Sequence, residues 1–164
     1  MSFNYDEIEG FLFDFDGVLT DNKVYLNQDG VESVTCSRAD GLGFDFFKKT
    51  EKRVWIFSTE KNEVVVQRAK KLKVSVINAI ENKSTAIINL SEKESLNLSK
   101  CVYVGNDLND YFAMKLCGCK VCPSDAHDEI KKISDVILQS EGGAGVVREI
   151  LENVFKINLL DYLK

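Results

Sequence analysis

Asp14 and Asp16 flank Phe15 directly after the apolar run Phe11-Leu12-Phe13, and Gly17 follows them. The apolar run reads as a buried strand, and the glycine marks a tight turn at its end. Side chains alternate along a strand, so Asp14 and Asp16 are expected on one face. Two carboxylates side by side at a strand terminus repel unless a cation or a task compensates them. One could attack a phosphorus atom while the other handles the proton. A Mg²⁺ ion between them would neutralise both the pair and an incoming phosphate. The plain alternative is a solvated turn, since Asp and Gly are common turn residues.

Three further segments argue for chemistry. Val54-Trp55-Ile56-Phe57 is a second apolar run, and it ends in the hydroxyls of Ser58 and Thr59. A hydroxyl and a backbone N–H at a strand-to-helix junction suit a phosphate oxygen; they would equally cap a following helix. Lys83 precedes a helical pattern at Ser84-Thr85-Ala86-Ile87-Ile88. Taken alone it would be a surface lysine. Cys101-Val102-Tyr103-Val104 is a third apolar run, and Gly105-Asn106-Asp107-Leu108-Asn109-Asp110 follows it. Acidic groups thus recur at two strand ends, where open α/β sheets place their ligands.

The elements that must position these groups alternate. Strands are expected at residues 10–15, 53–57, 74–77, 102–104, 120–122 and 136–138. Helices are expected at 42–49, 62–72, 84–90, 110–117 and 126–133, with Ser124 capping the last of these, and a final amphipathic helix at 145–155. Such alternation predicts an α/β fold, a doubly wound parallel sheet with helices on both faces. No repeat, low-complexity tract or linker interrupts it, so residues 1–164 are read as a single domain. One segment departs from the pattern. Residues 23–34 read as a small β-hairpin insertion around Asp29-Gly30.

Composition bounds the partners. The chain of 164 residues fits one hydrophobic core, and 45% hydrophobic content excludes disorder. A net charge of −5 argues against a nucleic-acid partner held by bulk electrostatics. No apolar stretch approaches ~20 residues, so no membrane span is expected. The first residues lack a basic start followed by an apolar region, and a cytoplasmic location is expected. Of five cysteines, only Cys119 and Cys122 have metal-pair spacing, and no second pair completes a zinc site.

The ordered set Asp14-Phe15-Asp16-Gly17-Val18-Leu19-Thr20-Asp21, Ser58-Thr59, Lys83 and Gly105 to Asp110 resembles the haloacid dehalogenase superfamily of phosphohydrolases. The resemblance covers almost the whole chain. It implies a Rossmann-like fold, Mg²⁺ as cofactor and an aspartyl-phosphate intermediate. It makes Asp14 the nucleophile, Asp16 the general acid/base, and Lys83 the lysine that steadies both nucleophile and phosphate. It assigns phosphate binding to Ser58, Thr59 and Gly17. Metal ligation falls to Asp14, Asp16, Asn106, Asp107 and Asp110. Asn106 departs from the Asp usual in the family; its amide oxygen can still ligate a hard cation, without formal charge.

A hairpin in place of a large cap domain is similar to the capless group of 3-deoxy-D-manno-octulosonate 8-phosphate phosphatases, and more so to relatives acting on nine-carbon (sialic-acid-type) 9-phosphates. That likeness implies a small phosphorylated keto-sugar-acid substrate and a homotetramer with hairpins at its core. It suggests Glu60, Lys61, Arg68, Lys71, Asp40 and Arg148 as substrate-binding residues, the last beside Glu141-Gly142-Gly143-Ala144-Gly145. Two readings compete: the eight-carbon substrate of lipopolysaccharide synthesis, and a structural oligomerisation role related to acylneuraminate cytidylyltransferase proteins, with Asn106 marking a degenerate site.

Overall fold

The computed structural model describes residues 4–163. Its centre is strand β1 (Gly10–Asp14), buried along its whole length. Then come β2 (Tyr25–Leu26) and β3 (Glu32–Ser33), α1 (Ala39–Lys49), β4 (Arg53–Phe57), α2 (Glu63–Leu72), β5 (Ser75–Ile77) and α3 (Lys83–Glu94). The second half contains β6 (Cys101–Val104), α4 (Tyr111–Met114), β7 (Cys119–Cys122), α5 (Asp128–Ile133), β8 (Val136–Ile137) and α6 (Val146–Glu149). The α6 helix runs on as a π-helical stretch, Ile150–Val154. The doubly wound parallel sheet is present, six strands in the order β5-β4-β1-β6-β7-β8. The hairpin β2-β3 is a separate antiparallel pair, and no cap domain is found among the described residues.

Alternation along the strands builds two cores. Phe11 and Phe13 of β1, with Val102 and Val104 of β6, face a layer that contains Phe44, Phe47, Val65, Val147 and Leu151. Leu12 and Tyr103 face the opposite layer, with Ile87, Leu90, Met114 and Ile130. All of these side chains are buried, and each apolar side chain of this size contributes ~1.5–3 kcal/mol when fully buried. The first layer is notably aromatic: Phe11 and Phe47 lie 4.5 Å apart between ring centres. Cys119 and Cys122 belong to opposite layers, so their thiols cannot share a ligand.

The chain leaves β1 toward β4 on one side and returns to β6 on the other. The crevice above the carboxyl ends of β1 and β6 is therefore the switch point where such sheets bind ligands.

Several boundaries differ from expectation. Helix α1 starts at Ala39, whose N–H meets Ser37 Oγ at 3.1 Å, so Asp40 and Gly41 lie inside its first turn rather than before it. The expected helix 110–117 is shorter, because three-residue bonds such as Leu116 N–H to Ala113 O tighten its end. Helix α5 is capped by His127, whose Nδ1 accepts the Glu129 N–H at 3.1 Å, and not by Ser124. Lys83 is the first residue of α3, behind an Asn82 cap that accepts the Thr85 N–H.

Candidate active site

Strand β1 delivers Asp14 to the crevice, and α3 delivers Lys83 from the adjacent layer. Lys83 Nζ lies 2.6 Å from Asp14 Oδ1 and 2.7 Å from Asp110 Oδ1. Burial works against the lysine charge, but Asp14 and Asp110 outweigh it and its pKa is raised. Burial pushes Asp14 well above the usual carboxylate range; the Asp110 charge adds to this, and Lys83 opposes it. Asp14 is thus a carboxylate whose ionisation depends on a neighbouring cation.

Asp110 is wholly buried and fully used. Its Oδ1 accepts from Lys83 and from the Tyr103 hydroxyl at 2.8 Å. Its Oδ2 accepts the backbone N–H groups of Asn106 at 3.0 Å and Asp107 at 3.3 Å. Four donors fill its four lone-pair positions. Asp110, expected as a metal ligand, here anchors Lys83 and the 106–107 backbone instead. Asp107 is exposed and caps the turn Leu108–Asp110, accepting the Leu108 N–H at 2.7 Å.

Asp16 is half-buried and, among the described residues, forms no ion pair. Burial raises its pKa, Glu60 adds to the rise, and Lys83 and the Thr20 hydroxyl oppose it. Asp14 is paired with a lysine and Asp16 is not, and that difference in partners separates the two carboxylates for the two tasks that their spacing left open. Thr20, buried within the same loop, accepts the Gly17 N–H at 3.1 Å and fixes the turn. Gly17 has φ +84°, and a Cβ there would meet the Asn106 amide at 2.0 Å. Gly142 buttresses this loop from behind; a Cβ on it would lie 2.2 Å from Gly17 O.

One amide position of Asn106 lies 3.1 Å from Asp14 Oδ2 and 2.9 Å from the backbone oxygen of Asp16. A nitrogen there donates to both. An oxygen there makes three oxygens converge with no hydrogen between them, a donor set that fits a hard cation such as Mg²⁺. In this arrangement Asp16 contributes its carbonyl rather than the carboxylate that its side chain suggested.

The cavity above these groups measures about 250 Å³ and is lined by Asp14, Asp16, Thr59, Glu60, Asn106 and Asp107 among others. The hairpin closes one side with Val24, Glu32 and Val34, and Asn62 Nδ2 donates to Glu32 Oε2 at 3.0 Å across it. Ser58 is buried just below, its Oγ accepting the Glu60 N–H at 3.1 Å. Lys61 lies in the adjoining hollow with Gly30, Val31 and Glu32.

Four expected substrate contacts fall elsewhere. Asp40 is buried, accepts the Val147 N–H at 2.8 Å and ties α1 to α6. Arg68 donates to Ser37 O at 2.8 Å. Lys71 is exposed in the last turn of α2, which has run back to the end of the sheet where β5 begins, away from the cavity. Arg148 pairs with Glu152 at 3.2 Å and lines a different groove, beside Leu42 and Leu160. Sequence reasoning missed Tyr103 and Thr20. Thr20 was visible in the Asp14–Asp21 block; Tyr103 looked like any strand aromatic.

Comparisons with known proteins bear on the family and the fold. A family model described as haloacid dehalogenase-like hydrolase matches residues 44–150. The chain is 30% identical over 148 residues to the 3-deoxy-D-manno-octulosonate 8-phosphate phosphatase of Escherichia coli (strain K12), covering 90% of this chain and 79% of that protein. Among solved structures, a Streptomyces avermitilis protein described as a HAD family hydrolase superposes with TM-score 0.93 at 34% identity, over 97% of this chain and 91% of that one. The Moraxella catarrhalis 3-deoxy-D-manno-octulosonate 8-phosphate phosphatase, solved with magnesium ion, phosphate ion and KDO, superposes with TM-score 0.87 at 32% identity, over 92% and 87%.

Proposed function

The chain belongs to the haloacid dehalogenase-like hydrolase family and is a phosphatase; we propose that it hydrolyses a 2-keto-3-deoxy sugar acid phosphate, an eight-carbon 8-phosphate or a nine-carbon 9-phosphate. The observation that carries this reading is the buried Asp14–Lys83 pair at 2.6 Å, on the floor of a cavity that Asp16 shares. The kinship with octulosonate phosphate phosphatases supports the substrate class.

Asp14 attacks the phosphorus in line, and the phosphorus–sugar oxygen bond breaks as the carboxylate–phosphorus bond forms. Asp16 gives its proton to the leaving sugar oxygen. It then takes a proton from the water that attacks phosphorus and frees Asp14. Lys83 opposes the rise that burial and Asp110 impose on the Asp14 pKa, favouring the ionised nucleophile, and offsets charge on the phosphoryl oxygens. Mg²⁺, held by Asp14 Oδ2, the Asp16 carbonyl and the Asn106 amide oxygen, would supply charge neutralisation of the phosphate. Ser58 and Thr59 offer their hydroxyls to that phosphate, the Ser58 N–H being held by Ile77 O at 3.0 Å, and Glu60 and Lys61 contact the sugar acid at the rim.

The hairpin supports an assembly. Val24, Tyr25, Leu26 and Val31 are all more than half exposed, on or beside a ladder of only two residue pairs. Such a hairpin is marginal alone, and hairpins from several chains, in a homotetramer, would cover one another's apolar faces. Phosphate release in MgCl₂ across eight- and nine-carbon keto-acid phosphates and simple hexose phosphates tests the assignment. Preference for one of the keto acids is expected. Equal rates on all substrates would remove the specificity claim.

A further inference from the structure

Asn106 is confined on every side. Its backbone N–H is held by Asp110 Oδ2 at 3.0 Å and its carbonyl accepts the His127 N–H at 2.8 Å. The side chain is wedged against Gly17, where even a methyl group would collide. It cannot swing away, but it can turn over, because amide oxygen and nitrogen are nearly equal in size and exchange places on rotation. One of the two positions faces the oxygens of Asp14 and Asp16; the other faces hydrogen-bond donors.

We propose that the Asn106 amide is a two-position latch: without a cation its nitrogen bonds Asp14 and the Asp16 carbonyl, and binding of a divalent cation requires the amide to turn over. This rests on the reading of the three converging oxygens as a metal centre. With nitrogen inward both amide ends are satisfied, so the two catalytic loops stay tied together with no ion present. With oxygen inward the nitrogen is left facing donors, and cation binding is opposed by that loss. A carboxylate at this position has the reverse bias. It repels Asp14 when the site is empty, and it satisfies both the cation and the donors when the site is filled. The asparagine therefore favours a site that answers to free Mg²⁺ over one that holds a permanent ion.

The test is calorimetric titration with MgCl₂, with thermal unfolding in EDTA and in excess MgCl₂, on the wild type, Asn106→Asp and Asn106→Ala. Asn106→Asp is expected to bind Mg²⁺ about ten-fold more tightly, since ligand charge sets affinity. It should melt below the wild type in EDTA, with the gap closing in MgCl₂. Asn106→Ala, which keeps the fold but loses both amide positions, should melt below the wild type in EDTA and bind Mg²⁺ more weakly. In the wild type the Asn106 side-chain ¹⁵N–H₂ resonances should shift as Mg²⁺ is added. If the wild type binds Mg²⁺ and either variant matches it in both affinity and metal-free melting, the latch is overturned and the metal centre stands. If the folded wild type binds no Mg²⁺, the metal centre falls and the latch with it.

Discussion

Lys83, Asp110 and Tyr103 lie beneath the cavity with at most 3% exposure, while Thr59, Glu60 and Asp107 on its rim, and Val24, Tyr25 and Leu26 on the hairpin, face solvent. Below, every polar atom of Asp110 has a partner and the partners come from three elements. Above, contacts are few, and the Asn62–Glu32 bond is one of the ties between hairpin and body. The floor is fixed by the same packing that folds the domain. The rim is left free to meet a substrate or a neighbouring chain. Chemistry is thus built into the core, and specificity is placed where change is tolerated.

Asp14→Asn should break the floor chemically without breaking it structurally. Turnover should fall by ~10⁴-fold, while circular dichroism and urea unfolding stay close to the wild type, because Lys83 keeps Asp110. Lys83→Met should break it structurally as well. It strands two buried carboxylates, and urea unfolding at pH 7 should show a loss of about 3–5 kcal/mol; a loss below about 1 kcal/mol would mean that the pair is less buried than the geometry implies.

Asp40, outside both regions, gives a smaller effect with a definite sign. Burial pushes its pKa up to about 6, and one oxygen has no partner. The folded state then holds the proton more tightly than the unfolded chain. Stability should fall as pH rises from about 4 to about 6 and be flat above, by about 3 kcal/mol or less. Asp40→Asn, whose oxygen can still accept the Val147 N–H, should remove that slope. An identical slope in the variant, followed by urea unfolding across this range, would contradict the assignment. On the rim, Tyr25→Ser with Leu26→Ser should change monomer unfolding by about 0.5 kcal/mol or less. The same double change should abolish assembly in sedimentation experiments.

The comparison also explains what could be read from sequence. Strand β4 was expected where it lies, at 53–57, because an apolar run ending in Ser58-Thr59 has only one sensible reading. The order Asp14, Ser58, Lys83, Asn106 put four groups at neighbouring strand or helix ends, and the structure brings them to one crevice. What failed was the assignment of single atoms. Asp16 presents its carbonyl to the convergent oxygens, a backbone feature that no residue type reveals. Asp110 is saturated by donors that include Tyr103 and Lys83, the latter 27 positions away. Asp40 and Val147 are 107 apart. Arg68 and Lys71 do share a helical face, but spacing could not say that α2 carries its C-terminal end away from the cavity.

The central claim is that Asp14 carries the phosphoryl group during turnover. The direct test is borohydride reduction of enzyme quenched while turning over an eight- or nine-carbon keto-acid phosphate, followed by peptide mass spectrometry. The account predicts a reduced residue at position 14 alone, absent without substrate and absent in Asp14→Asn. Steady turnover with an unmodified Asp14, or label at Asp16 instead, would contradict it.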